Sequence, residues 1–328
     1  MNINYREITD LSNRVLQKHG YTTEEAEQIT SMLLWAEKRG SSQGFSKLFG
    51  WRIKKELTAK IPIIEKNNGN MTLINAEQNS HIVACNLGVS ELLKNMKDSY
   101  SCTVGIKNAV NSAGALGYYT EQIANAGYIA IMMSAADPGV APYGGSQAVY
   151  GTNPISISIP SEPNPIILDM SIANLTWGDL IHAQDTNQKL PEDSAFDENG
   201  NTTQDPQEAM DGCVKTFDNG HKGSGLALMI QILAGPLVGS VYAVKHEDCQ
   251  YGSLIIAINP EFFGNREAFI NNVKHMISEI KGTQKAEGFN EISMPSESSY
   301  RNAKLADKSQ SVNISDELFE KITTFLKS

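Results

Sequence analysis

The 328-residue chain lacks the signatures of the commonest nucleotide enzymes. No Gly-x-Gly-x-x-Gly follows an early strand pattern and no Gly-x-x-x-x-Gly-Lys-[Ser/Thr] occurs, so neither a Rossmann nor a P-loop site is supported. Cysteine is scarce. Cys85, Cys102, Cys213 and Cys249 lie far apart with no Cys-x-x-Cys pair, which argues against a disulfide framework or a thiolate zinc site and for free thiols in a reducing compartment. Basic charge is in deficit: 27 Lys and Arg stand against 37 Asp and Glu, a formal net charge of −10. That balance excludes non-specific nucleic-acid binding but leaves room for one anionic ligand in a local basic pocket. The N-terminal MNINYREITD has no apolar signal core, so a cytoplasmic protein is expected. The apolar run at 225–244 is long enough for a membrane span. Gln231, Pro236 and three glycines interrupt it and no basic cluster flanks it, so a buried helix is expected and no membrane contact.

Metal-ligand spacing is equally thin. There is no HExxH; His246-Glu247-Asp248 and the i,i+4 pair His275/Glu279 have no further ligands close in sequence, so no metal site is expected.

Short strand-like runs alternate with helical periodicity, the pattern of a layered α/β protein. The strands are expected at 71–76, 103–106, 128–134, 155–159 and 253–258; helices fit 22–40, 82–97, 115–126 and 266–281, with a second early helix over Phe45 to Leu57. Thr22 and Glu25 have capping-box spacing, Gly40 supplies a stop, and Ser315 is a cap for the last helix. ISISIP is followed so closely by PIILDMS that the two read as a hairpin, which makes the sheet mixed. The Asp-, Asn-, Thr- and Gly-rich stretch 185–220 reads as a long surface loop.

Two stretches are candidates for ligand contact. In GHKGSG (220–225) the glycines permit close backbone approach, a following helix would aim N–H groups at an anion, and Lys222 adds charge. A tightly packed helix start explains the same residues. DPGVAPYGGSQAVYGTNP (137–154) reads either as a structural loop or as a wall of backbone donors beside a flat ligand.

In order along the chain, AEKRGSSQG, GALGYY, DPGVAPYGGSQAVYGTNP, ILDMS, FDENGNTTQDP, GHKGSGLAL, INPEFF and GFNEISMPSE resemble the malate/L-lactate/ureidoglycolate dehydrogenase family, and the last two most resemble ureidoglycolate dehydrogenases. The resemblance runs from about residue 5 to the end. It implies a mixed-sheet, non-Rossmann NAD(P)-binding domain like that of L-sulfolactate dehydrogenase. It divides the chain into a helical N-terminal segment (1–75) packing with the C-terminal part, an NAD(P)-binding central region (76–260) and a helical C-terminal part (261–328). It further implies a small-molecule substrate and a homodimer. By the same resemblance His221, Lys222 and Gly223 lie by the dinucleotide phosphates, Asp169, Met170 and Ser171 hold the adenosine side, and Ala136, Asp137 and Pro138 line the nicotinamide. Asp169 on a ribose favours NAD over NADP.

The reaction centre departs from the family pattern. Ser-His-Gly is Ser42-Gln43-Gly44 here, the carboxylate-forking arginine is Lys47, and the proton-transferring histidine is Ser112. Gly-Lys after LDMS is Gly178-Asp179, and a ureidoglycolate-enzyme tyrosine aligns with Trp51. Oxidising an alcohol by hydride loss needs a group that takes the hydroxyl proton. Gln43 does not serve, Ser112 is a weak base, and Lys47 holds a carboxylate only as a point charge. The expectation is an NAD(P)H-dependent oxidoreductase with a rebuilt site, reducing an imine or activated carbonyl. A non-redox biosynthetic enzyme or an inactive cofactor-binding homologue on the same fold is the alternative.

Overall fold

The computed structural model describes residues 1–50, 53–240 and 250–328. Chain order is β1 (Asn2–Asn4), α1 (Tyr5–Lys18), α2 (Thr23–Lys38), β2 (Ile63–Asn67), β3 (Met71–Asn75), α3 (His81–Asn95), β4 (Ser101–Ala109), α4 (Gly117–Asn125), β5 (Ile129–Ala135), β6 (Ile155–Ile159) and β7 (Ile166–Met170). Then come α5 (Trp177–Asp185), β8 (Ala195–Phe196), β9 (Thr202–Thr203), α6 (Pro206–Asp211), β10 (Cys213–Val214), α7 (His221–Ala234), β11 (Tyr251–Ile258), α8 (Arg266–Gly282), α9 (Glu297–Ser309), β12 (Ser311–Asn313) and α10 (Asp316–Lys327).

The central sheet has strand order β2-β3-β4-β11-β5-β6-β7. Only β3 and β4 run parallel; every other neighbouring pair is antiparallel, including the β6–β7 hairpin. The sheet is mixed, as its sequence pattern predicts, and has no doubly wound order. α3 and α4 cover one face, and α7 crosses the other over β5 and β11.

Local chemistry explains the clearest elements. Thr22 and Glu25 close a reciprocal capping box at the start of α2 (Glu25 N–H to Thr22 Oγ1, 3.3 Å; Thr22 N–H to Glu25 Oε2, 2.9 Å). Its buried face, Ile29, Met32, Leu33 and Ala36, joins the main core. In β4, Cys102, Val104 and Ile106 alternate into that core with the period of two that a half-covered strand requires.

Two expectations need correction. The second early helix shrinks to a 3-10 turn, Phe45–Phe49, ended by Gly50, and residues 53–57 are not helical. The stretch 185–220 is no open loop: β8, β9 and β10 form a small antiparallel sheet with α6 beside it, around a satellite core of Val140, Leu180, Leu190 and Ala195. β6 is inverted. Ser156 and Ser158 are fully buried and bond the Thr120 hydroxyl of α4 at 2.8 and 2.7 Å, while Ile155, Ile157 and Ile159 face the side crossed by α7. Alternation located the strand but not its inward face, because hydroxyls that find partners are cheap to bury.

No described helix is long and apolar enough to cross a membrane. His275 and Glu279 form an exposed surface pair at 3.3 Å. Trp51, His246-Glu247-Asp248 and Cys249 lie outside the described residues.

Candidate functional site

One end of the sheet gathers most of the candidate residues. Tyr251 at the start of β11 pairs with Ala109 at the end of β4, and Gly252 pairs with Ala135 at the end of β5. Ser112, Ala136-Asp137-Pro138 and Tyr251 therefore leave the sheet at the same edge. β6 begins and β7 ends there as well, since Ile155 pairs with both Met133 and Met170.

The backbone links the cofactor segments. The Ile172 N–H donates to the Thr152 carbonyl at 2.9 Å and the Phe217 N–H to the Ile172 carbonyl at 2.8 Å, tying the end of β7 to the stretch that leads into α7. Ser171 Oγ donates to the Thr152 carbonyl at 3.2 Å and accepts from the Ala173 N–H at 3.0 Å. The Gly-rich loop reaches α7 through the Tyr143 N–H, which donates to Ser224 Oγ at 3.0 Å, and through the Tyr143 ring, edge-on to His221. A Cβ on Gly151 would lie 2.5 Å from the Ala136 carbonyl oxygen, so only glycine lets the loop return beside Ala136.

Asp169 points its Oδ2 at the Gly117 N–H, 2.7 Å away at the start of α4, which leaves Oδ1 for a ribose hydroxyl. Desolvation pushes its carboxyl up to about 6 against the opposing hydrogen bond. The residue nonetheless keeps accessible surface, so this carboxyl is crowded by protein but not sealed from solvent. The Lys222 and His221 side chains are exposed at the first turn of α7. The Gly223 N–H donates to Asp218 Oδ2 at 3.1 Å. These residues fit a dinucleotide through a carboxylate for ribose and two basic side chains for phosphate; when bound, the cofactor supplies or accepts hydride.

The reaction residues sit against α2. The Glu37 carboxylate accepts the Phe45 N–H at 2.8 Å, and a Cβ on Gly44 would overlap that carboxylate at 2.0 Å. Gly114, at φ +76°, packs on Met32 of the same helix. Met32 and Glu37 are five residues and about 7.5 Å apart along the axis, so both turns rest on the same helix. Ser42 approaches Gly178 at the start of α5, where a built Cβ would be 3.5 Å from Ser42 Cβ. Ser112 Oγ accepts the Gly114 N–H at 3.1 Å. Lys47 has no acidic partner among the described residues, and burial lowers its ammonium to about 8. Asp179 is a capping residue: its carboxylate accepts the Thr176 N–H and hydroxyl, both at 2.7 Å.

Sequence reasoning passed over two residues here. The Tyr251 hydroxyl donates to Asp137 Oδ2 at 2.5 Å, and the fully buried His81 bonds Ser253 Oγ through Nε2 at 2.8 Å, edge-on to the Tyr251 ring. Burial holds His81 near 4, opposed by a contact with the Asn111 backbone, so it is neutral at pH 7. Neither carries a motif; their meeting depends on strand order.

A profile of the malate/L-lactate dehydrogenase family matches residues 3–323, and the chain belongs to that family of NAD(P)-dependent dehydrogenases and reductases. Among its relatives is a malate/(S)-sulfolactate dehydrogenase of Methanothermus fervidus, 34% identical over 98% of this chain and 96% of that protein. The NAD(+) ureidoglycolate dehydrogenase of Escherichia coli K12 is 31% identical over 90% and 87%. A Δ1-pyrroline-2-carboxylate reductase of Burkholderia multivorans is 28% identical over 78% and 79%. The solved sulfolactate dehydrogenase of Methanocaldococcus jannaschii superposes with a TM-score of 0.86 at 30% identity, covering all of this chain and 97% of that one.

Proposed function

We propose that this family member is an NADH-dependent reductase with a rebuilt reaction centre, acting on an imine or activated carbonyl rather than oxidising a hydroxy acid. One observation carries the reading: Gln43, Lys47 and Ser112 stand where the family pattern has histidine, arginine and histidine, while His19 Nε2 is engaged by the Leu48 carbonyl at 3.2 Å and His81 is fully buried and neutral. Gln43 and Ser112 take no hydroxyl proton readily, and Lys47, its ammonium lowered to about 8 and still mostly protonated at pH 7, is kept for the substrate. A protonated C=N bond accepts hydride at carbon while its π pair becomes the nitrogen lone pair, with no proton donor needed at that step. Lys47 is suited to a substrate carboxylate, and the relative named for Δ1-pyrroline-2-carboxylate, a cyclic imine bearing a carboxylate, supports the same substrate class.

Asp169 Oδ1, free of the Gly117 contact, favours an unphosphorylated ribose and hence NAD over NADP. A cytoplasmic setting accords with the free thiols of Cys85, Cys102 and Cys213. The working form is a homodimer: α7 turns Leu228, Met229 and Ile232 outward, 40%, 49% and 44% exposed, along one helical stripe. Residues 223–240 contain no charged side chain, and an exposed apolar stripe of this kind marks an association surface.

The test is NADH oxidation with Δ1-pyrroline-2-carboxylate beside NAD reduction with malate and ureidoglycolate. Imine reduction without hydroxy-acid oxidation is expected. Hydroxy-acid turnover at an ordinary dehydrogenase rate, on the order of 10 s⁻¹, would sink the proposal.

A further inference from the structure

The start of α7 already holds an anion. Asp218, two residues before the cap, folds its carboxylate over the first turn: Oδ1 accepts the Gly220 N–H at 3.0 Å and Oδ2 the Gly223 N–H at 3.1 Å. The Thr216 hydroxyl donates to Oδ1 at 3.1 Å. Desolvation opposes ionisation of this carboxyl, but the donors prevail and hold it below the usual carboxylate range. Two glycines make the fold-back possible. A Cβ on Gly223 would lie 2.3 Å from Asp218 Oδ1, and one on Gly220 would lie 2.9 Å from Oδ2. N–H groups that a helix start offers to a phosphate are thus bound by a negative charge of the chain.

We propose that Asp218 is a built-in competitor for the cofactor phosphates: it fills the anion position at α7, so the dinucleotide is held there by the Lys222 and His221 side chains at reduced affinity. This rests on the cofactor placement proposed above. Like charges a few ångströms apart repel, an effect that solvent and salt moderate at the exposed Asp218, and a carboxylate over the helix start adds that repulsion to the loss of the N–H donors.

Asp218→Asn removes the charge and keeps the side chain's size and one accepting oxygen, while its Nδ2 releases one of the two N–H groups. The variant is expected to bind NADH about 10-fold tighter or better in a fluorescence titration, some 1.4 kcal/mol. Inorganic pyrophosphate, followed by calorimetry, is expected to tighten likewise, and both gains shrink as salt is raised. Asp218→Ser, which keeps a capping oxygen, serves if the asparagine variant does not fold. Unchanged or weaker binding of both probes by a folded variant overturns the proposal and leaves Asp218 a loop-shaping residue. If pyrophosphate tightens in the variants while no form binds NADH, the anion position stands as a competitor site, but the cofactor reading fails and the role toward the dinucleotide falls with it.

Discussion

The cofactor end and the reaction end of the site are held by the same means but differ in what their side chains offer. At the cofactor end, Gly151 is pressed against the Ala136 carbonyl and the loop bonds tie Ile172, Thr152 and Phe217 together. At the reaction end the backbone is equally constrained: Gly44 is pressed against Glu37, and Gly114 takes a left-handed conformation against Met32. Steric demand thus preserves the backbone at both ends. Gln43 and Lys47 extend from that backbone without a hydrogen bond to it, whereas Ser112 Oγ also accepts the Gly114 N–H, so chemistry at the first two can change most freely while the path stays.

The largest expected effect comes from restoring the missing chemistry. Gln43→His, Lys47→Arg and Ser112→His together are expected to raise malate or ureidoglycolate oxidation by about 10²–10⁴-fold over the unmodified protein, the usual contribution of a positioned acid–base group. Steady-state NADH formation measures it. No gain in a folded triple variant would mean that the two ends differ by more than these three side chains.

Charge on the outward stripe of α7 is next. Met229→Glu with Ile232→Glu is expected to convert a dimer to a monomer at micromolar concentration by light scattering, since interface cores tolerate unpaired charge poorly. A monomeric unmodified protein would remove the second copy from the reading.

Lys222→Ala probes the cofactor end alone. Loss of a charged phosphate contact is expected to weaken NADH binding by roughly 1.5–3 kcal/mol, about 10- to 150-fold, in calorimetry. Equal affinity would detach α7 from the cofactor.

Two pH effects are smaller. The Lys47 amine has a folded pKa of about 8, below its ordinary 10.5, so its destabilisation is complete below pH 8 and fades as pH rises toward 10.5. Lys47→Met should therefore raise thermal stability at pH 7 by about 1–2 kcal/mol after allowance for solvent screening, with the gap closing above pH 8. Asp169 shifts the other way, from 3.8 up to about 6, so it lowers stability fully above pH 6 and not at all below about 3.8. Asp169→Asn should add less than about 1 kcal/mol at pH 8, because the carboxyl keeps solvent access, and nothing at pH 3.5. Scanning calorimetry at three pH values checks both.

Much of the fold was legible because it rests on short-range rules. The Thr22–Glu25 box, Gly40 and the apolar face of α2 are local signals and place that helix to within two residues. The hairpin of β6 and β7 follows from the closeness of ISISI and IILDM. The second early helix was misread because apolar spacing over 45–57 says nothing of Gly50, where the turn ends. The stretch 185–220 was misread because two-residue strands are too short to show a period.

The sequence by itself determined the order of elements, the mixed sheet and the family, all of which are properties of residue type and spacing. Only tertiary structure decided which face of β6 is buried, since Ser156 and Ser158 become cheap to bury once Thr120 of α4 is opposite them. It decided that Asp179 caps α5, that Asp218 covers the start of α7, and that Tyr251 meets Asp137 across 114 residues of chain. A carboxylate's role depends on which N–H or O–H lies within about 3 Å of it, and that distance is set by packing rather than by the residue's place in the sequence.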